Sequence, residues 1–418
     1  MKGIWRYLLA AALVLAIVAG TFAGGFALGY VFHGKQPVTG AATIAPSSSS
    51  PSPNATENAK DLWAPFWEAW DLLHKYYVRP LDDVKLVQGA IRGMYEATGD
   101  PHTSYMDPDE FRQANIALEG EYEGIGAWVD TSGDYVTIVS PMKNSPAEKA
   151  GLQPGDEIIA VDGEDVTGVN PELVVRRVLG PAGTKVRLTI KRDDQPPFDV
   201  VITRAKITIP SVEGKMLDNN IAYVQLLTFG DKTSDELRDT LKELMAQNPQ
   251  GLILDLRNNG GGYLDTAVDV ASEFLPGGEV VLYEEYKDGS RKAYKSLGGG
   301  LATDIPMVVL VNKGTASASE IVSGALQDYG RALLVGETTY GKGSVQNWIP
   351  LEHDQGAVRI TVALWLTPKG RQISGKGLTP DVEVPMTEDD FKAKRDPQLD
   401  KAIELILQGK APATMQTK

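Results

Sequence analysis

The chain has 418 residues, 42% hydrophobic and 23% charged, the make-up of a globular protein with room for two or three domains. A net charge of -14 with no Lys/Arg cluster argues against nucleic acid as a partner. With no cysteine, disulfides and thiolate metal sites are excluded.

Residues 1–7 form a short tip carrying Lys2 and Arg6. Leu8 to Phe32 follow as 25 residues without a charge. That exceeds the roughly 20 needed to cross a bilayer as a helix. It also exceeds the apolar core of about 7–15 residues in a cleaved signal peptide. Residues 8–32 are therefore predicted to be a single transmembrane anchor. The preceding Lys2 and Arg6 put the N-terminus in the cytoplasm and the rest of the chain outside the cell membrane. Residues 33–60, rich in Pro, Ser and Asn, predict a disordered linker.

Residues 61–118 read as a helical region. In it Phe66, Trp67, Trp70, Leu72, Leu73 and Tyr77 share a broad apolar face suited to a core or a packing surface. Whether two chains pair through these aromatic helices as a homodimer is left open by the sequence. Residues 119–206 change to short apolar runs, "YVTIV", "EIIAV" and "KVRLTIK", punctuated by the turns "QPGD" and "VDGE", and predict a β-rich domain. Residues 207–384 alternate strand and helix patterns, which predicts a layered α/β core with much parallel pairing. "QNWIPL" and "AVRITVALWLT" read as an antiparallel addition, and residues 385–418 hold a short closing helix and a tail. The fold class is thus multidomain α/β.

Candidate chemistry begins at "KGTASASEIVSGALQDYG", where a strand gives way to a helix bearing Ser317 and Ser319. A nucleophilic serine needs a proton acceptor. His33, His74, His102 and His353 read as solvated or packed side chains, and no G-x-S-x-G elbow or H-E-x-x-H occurs. A buried lysine can replace histidine, because desolvation lowers its pKa from about 10.4. Lys342, between glycines in "TTYGKGSVQ", is the candidate, and Gln346 stands four residues on. "GETTYGKGS" also approaches the phosphate-loop pattern, but Gly343 replaces the required Ser/Thr and a strand follows instead of a helix. "LDLRNNGGGYL" offers a glycine turn ahead of a helix, suited equally to an oxyanion hole or to a plain tight connection. Ser317-Ala-Ser-Glu320 also fits an S-x-x-E capping box, and that pattern alone favours capping over catalysis.

Taken together, these motifs resemble the bacterial carboxy-terminal processing peptidases, or tail-specific proteases, over roughly residues 61–385. "GTASASEI" is similar to the family's nucleophile motif, with Thr315 where serine is usual, and "GKGSVQ" to its general-base motif. The spacing of 25 residues from Ser317 to Lys342 is the family's and selects Ser317 over Ser319. "LDLRNNGGG", "GDPHTSYM" and "GLTPDVEV" also match. The resemblance implies a serine endopeptidase with a Ser317–Lys342 dyad and Gln346 positioning the lysine. It implies an oxyanion hole from Ala318 N–H and one of Gly261 or Gly262. It requires no metal or cofactor, and its substrates are proteins or peptides with free C-termini. It further implies that residues 119–206 are a PDZ domain, on "AGLQPGDEIIAVDGEDV", with Gly124, Ile125, Gly126 and Ala127 as the carboxylate loop. Where the family often places an arginine before the Gly-Pro turn, this chain has Leu179, with Arg176 and Arg177 a turn earlier. The rival reading is a catalytically silent, PDZ-bearing peptide-binding scaffold.

Overall fold

The computed structural model describes residues 53–416 apart from position 194. The anchor expected at 8–32, its tip, and linker residues 33–52 lie outside the described residues. Among the described residues, no helix is long and apolar enough to cross a membrane.

The linker expectation is corrected at its end, because residues 53–60 belong to a helix, Pro53–Tyr76. Proline is pre-organised for a first helical position, and the Ala, Glu and Lys that follow are good helix formers. The second helix, Asp83–Glu96, is capped by Asp82, whose side chain accepts from Lys85 N–H. Among the described residues, the aromatic face of the first helix does not enter a core. Its rings pack on one another, Phe66 against Trp67 at 5.1 Å and Trp70 against His74 at 4.6 Å. Trp67 remains 57% and Tyr76 70% exposed. The helical region is also interrupted. Ser104–Met106 is a strand that pairs antiparallel with Ala357–Leu366, far along the chain. A third helix, Pro108–Glu119, then starts from a complete capping box made by Asp107 and Glu110.

The β-rich domain has a sheet ordered Ala127–Asp130, Val136–Pro141, Glu157–Val161, Lys185–Lys191, Phe198–Thr203. Lys185–Lys191 alternates exposed and buried side chains, as a strand with one face on a core must. Its core is its own, built from Ile138, Ile158, Leu188, Ile190 and their neighbours. The chain enters and leaves through a two-stranded neck, Glu121–Gly124 against Ala205–Thr208.

The remaining chain forms a six-stranded sheet ordered Val212–Leu217, Ile221–Leu226, Leu252–Asp255, Met307–Val311, Leu333–Gly336, Val382–Glu383. All its pairs are parallel except the first, a hairpin. Leu252–Asp255 and Met307–Val311 are buried throughout, as expected of parallel strands covered on both faces. Leu237, Leu241, Val270 and Val322, from three helices, share one core with Leu254 and Val309. Ala402, Leu405 and Ile406 of the closing helix Pro397–Leu407 pack with Ile253, Val308 and Leu310 on the other face. A second sheet carries Ser344–Pro350 paired antiparallel with Ala357–Leu366, the addition expected from sequence. Ser317 thus starts a helix over one sheet, and Lys342 lies just before the first strand of a hairpin in the other.

Candidate active site

Ser317 immediately precedes the helix Ala318–Asp328, with φ 53 and ψ -117. A capping serine ordinarily sits in the β region. A non-glycine residue at positive φ costs on the order of 1–3 kcal/mol and persists only where its surroundings enforce it. Here Thr315 and Asn259 enforce it. The Thr315 hydroxyl donates to Leu256 O at 2.8 Å and accepts from Asn312 N–H at 2.9 Å. Asn259 O accepts from Ala316 N–H at 3.0 Å and from the Ser319 hydroxyl at 2.9 Å. Ser319 is therefore a buried structural donor, whereas Ser317 carries the strain.

The glycine turn closes on this serine. Gly261 has φ 101, and a Cβ there would lie 2.8 Å from each of Ala316 O, Ala318 N and Ser317 Cβ. Gly261 N–H is already given to Asn259 Oδ1 at 2.9 Å. Gly262 is fixed on its other side, where Tyr263 N–H donates to Phe229 O at 2.7 Å. Among the hydrogen bonds of the described residues, neither Gly262 N–H nor Ala318 N–H donates to a partner. Asn259, which holds both the turn and the serine segment, was not singled out by sequence reasoning. Its only sequence signal is its place in "RNNGGG".

Lys342 is 2% exposed, and its Nζ has no hydrogen-bond partner among the described residues. Burial pushes its pKa well below the ordinary lysine value, and the Arg359 guanidinium adds to this. Glu320 and Asp100 pull the other way. Gln346 is fully buried, but its Nε2 donates to Ser344 Oγ at 2.8 Å and Thr361 Oγ1 at 3.1 Å, and its Oε1 is unpartnered. Among the described residues Gln346 makes no hydrogen bond to Lys342, the contact expected from the motif. Beyond it lies "GDPHTSYM". Thr361 N–H donates to Thr103 Oγ1 at 3.0 Å, and the Thr103 hydroxyl donates to Asp100 Oδ2 at 2.7 Å. His102 sits on this wall, its carbonyl accepting from Arg359 Nε at 2.9 Å. Burial lowers the imidazole pKa, and the nearby lysine lowers it further.

Glu320 exceeds its sequence reading. Its carboxylate accepts from Ser317 N–H, as a capping box requires, and also from Thr339 Oγ1, Gly341 N–H and Lys342 N–H. Burial raises its pKa, and these four donors oppose the rise.

In the β-rich domain, Gly124 closes one neck strand and Ala127 opens the first sheet strand, with Ile125 and Gly126 between them. Ile125 O accepts from Ala147 N–H at 2.8 Å, and Gly126 O accepts from Met142 N–H at 3.0 Å. Gly126 has φ 76, and a Cβ there would collide with Ser145 and Ile207. The bonds from Ala147 and Met142 use the loop's carbonyls, while the backbone of Gly126 and Ala127 also interacts with the Tyr122 hydroxyl. Arg176 reaches out of this domain and donates to Asp109 Oδ2, on the third helix, at 2.7 Å. Arg177 stays within it, pairing with Glu164. Around the Arg176 contact is a groove of about 770 Å³ lined by Asp109, Ile116, Tyr122, Arg176 and Leu179 among others.

Three family models match the chain: peptidase family S41 over residues 220–384, a PDZ domain over 137–192, and the activating protease CtpB N-terminal domain over 20–110. The carboxy-terminal processing protease CtpA of Bacillus subtilis is 41% identical over 317 residues, which is 76% of this chain and 67% of that one. The carboxy-terminal-processing protease of Bartonella bacilliformis is 38% identical, covering 82% of this chain and 80% of its own. The crystal structure of a putative S41 protease from Bacteroides fragilis aligns with a TM-score of 0.50 at 18% identity, over 75% of this chain and 87% of that one, a likeness of fold.

Proposed function

Because the chain belongs to the carboxy-terminal processing proteases of peptidase family S41, and is a serine-type endopeptidase with a PDZ domain, we propose that Ser317 is its nucleophile and Lys342 its general base. The observation that carries this reading is the buried, unpartnered Lys342 amine, held in a site that disfavours its charge. A neutral amine has a lone pair to accept the serine proton, and a scaffold has no use for that desolvation.

In this mechanism Ser317 Oγ attacks the peptide carbonyl carbon while its proton passes to Lys342 Nζ. Ala318 N–H and Gly262 N–H, the donors left free, receive the oxyanion. Collapse of the tetrahedral adduct returns the proton from Lys342 to the departing amine. Water, deprotonated by the same amine, then attacks the acyl-enzyme, and collapse of that adduct expels Ser317 Oγ, which takes the proton back from Lys342. Gln346, whose Oε1 is left unpartnered among the described residues, positions the lysine in the working enzyme. The loop Gly124–Ala127 captures the substrate's terminal carboxylate, and the chain cuts extracytoplasmic proteins near their C-termini while residues 8–32 anchor it to the membrane. The exposed rings of the first helix offer a second copy a surface to cover in a homodimer.

The test is cleavage of an unstructured protein with an apolar C-terminus by the full chain in detergent. Ser317→Ala and Lys342→Ala should each abolish cutting with unfolding transitions intact, and amidating the substrate's C-terminus should weaken it. Cutting retained by either variant would remove the dyad.

A further inference from the structure

We propose that Glu320 is a positioning residue of the reaction, its carboxylate setting the approach of Lys342 to Ser317 by holding the backbone of both. The proposal rests on the dyad reading above. Glu320 Oε2 accepts from Ser317 N–H and Lys342 N–H, each at 2.9 Å. Its Oε1 accepts from the Thr339 hydroxyl at 2.5 Å and from Gly341 N–H at 2.7 Å. The two segments leave neighbouring parallel strands, Met307–Val311 and Leu333–Gly336, whose ladder ends at Val311 and Gly336, so these bonds carry the registration on to the dyad itself. A second tie, Tyr340 N–H to Thr315 O at 3.0 Å, lies two residues from each partner of the dyad and keeps the segments parallel.

Helix capping accounts for only one of the four bonds. A capping glutamate reaches back to the N-cap N–H and is otherwise solvated. Glu320 is fully buried, and three of its four donors come from residues 339–342. Four donors converging on two oxygens favour the ionised acid, against the burial that raises its pKa. A protonated oxygen or an amide NH2 would face a donor with a donor. A buried carboxylate is costly unless its bonds are made, and charge-assisted bonds are the strong ones. Thr339 completes the arrangement: its hydroxyl donates to the carboxylate and accepts from Leu378 N–H at 2.7 Å.

The carboxylate also places a negative charge beside the lysine, which favours the ammonium form against burial and Arg359. Removing the charge while keeping the shape therefore has two consequences. The dyad loosens, and a displacement near 1 Å costs about 10²-fold in rate. The lysine also becomes neutral at lower pH, so the acid limb of the activity profile moves down.

The experiment compares Glu320→Gln, Thr339→Val and Thr339→Ser in the full chain. It reads cleavage across pH and the rate at which a fluorophosphonate labels Ser317, with thermal unfolding recorded for each variant. Glu320→Gln should lose about 10²-fold in kcat with KM little changed, and its acid limb should shift to lower pH. Thr339→Val should be partly impaired, and Thr339→Ser, which keeps the hydroxyl, should be restored. Wild-type kcat and an unmoved limb in Glu320→Gln overturn the proposal. So does a slower enzyme whose limb is unmoved and whose Thr339→Ser is as poor as Thr339→Val, because that pattern is a folding defect. If Glu320→Gln does not fold, the Thr339 pair decides. Lys342→Ala separates the two readings: if it labels at the wild-type rate the dyad itself is wrong, whereas an inactive Lys342→Ala beside a normal Glu320→Gln removes only the positioning role.

Discussion

Gly261 lies so close to Ser317 that a Cβ on the glycine would stand 2.8 Å from the serine Cβ, with Ala316 O and Ala318 N equally near. The glycine also has φ 101, which an L side chain rarely adopts. Gly261→Ala should therefore push the turn off the nucleophile. The expected result is a fall in kcat of about 10²-fold and a stability loss of roughly 1–3 kcal/mol, read from steady-state cleavage and urea unfolding. A Gly261→Ala enzyme with normal kcat would show that the turn is not part of the reacting centre.

Much of this site was legible because its pieces are local. The strand-to-helix change at 307–328 and the glycines around Lys342 show in the residue pattern, as does the alternation in 185–191. Contacts between distant segments were not legible. Glu320 reads as a cap because Ser317 is its near neighbour, while its bonds to 339–342 depend on the parallel pairing of Met307–Val311 with Leu333–Gly336. Ser104–Met106 falls inside the stretch read as helical, and only its pairing with Arg359, Val358 and Ala357 makes it a strand. The aromatic helix has the periodicity of a buried face, and periodicity alone does not say whether a covering partner belongs to the same chain. Arg176 and Arg177 differ by one position, and only the placement of Asp109 separates the bridge from the internal pair.

Lys342 links activity to pH and to stability with opposite demands. Burial holds the folded lysine well below its ordinary value, so activity should fall as pH drops through that depressed pKa. Between it and about 10.4, the unfolded chain binds a proton the folded chain does not, so stability declines as pH falls through this window. Lys342→Met removes the buried unpartnered amine and keeps its length. The variant should be inactive yet more stable by roughly 1–3 kcal/mol, with the gain in Tm widening as pH is lowered from about 10. Calorimetry at several pH values checks this, and a variant less stable than the parent at neutral pH would contradict it.

The Arg176–Asp109 pair joins the PDZ domain to the helix Pro108–Glu119. Both side chains are part exposed, at 31% and 44%, so the pair contributes about 0–1 kcal/mol to global stability. Arg176→Ala should hardly move Tm. It should instead speed hydrogen exchange in the neck strands Glu121–Gly124 and Ala205–Thr208, where the domain hinges on the core. High salt should mimic the variant in the parent chain. Unchanged exchange in the neck would mean that the pair does not restrain the domain.

Ser317 and Ser319 lie two residues apart on the same turn and have opposite roles. The Ser319 hydroxyl is fully buried and commits its proton to Asn259 O, an acceptor that Ala316 N–H also serves. Ser319→Ala thus leaves that carbonyl satisfied and loses one hydrogen bond, a cost of about 1 kcal/mol. The variant should keep most of its activity and its fluorophosphonate labelling. Ser317→Ala should keep the fold and lose both, since alanine at φ 53 inherits the backbone strain without the nucleophile. Mapping the labelled peptide by mass spectrometry in each variant separates the two serines. Labelling that survives in Ser317→Ala and vanishes in Ser319→Ala would invert the assignment, and the strained backbone at 317 would then need another explanation.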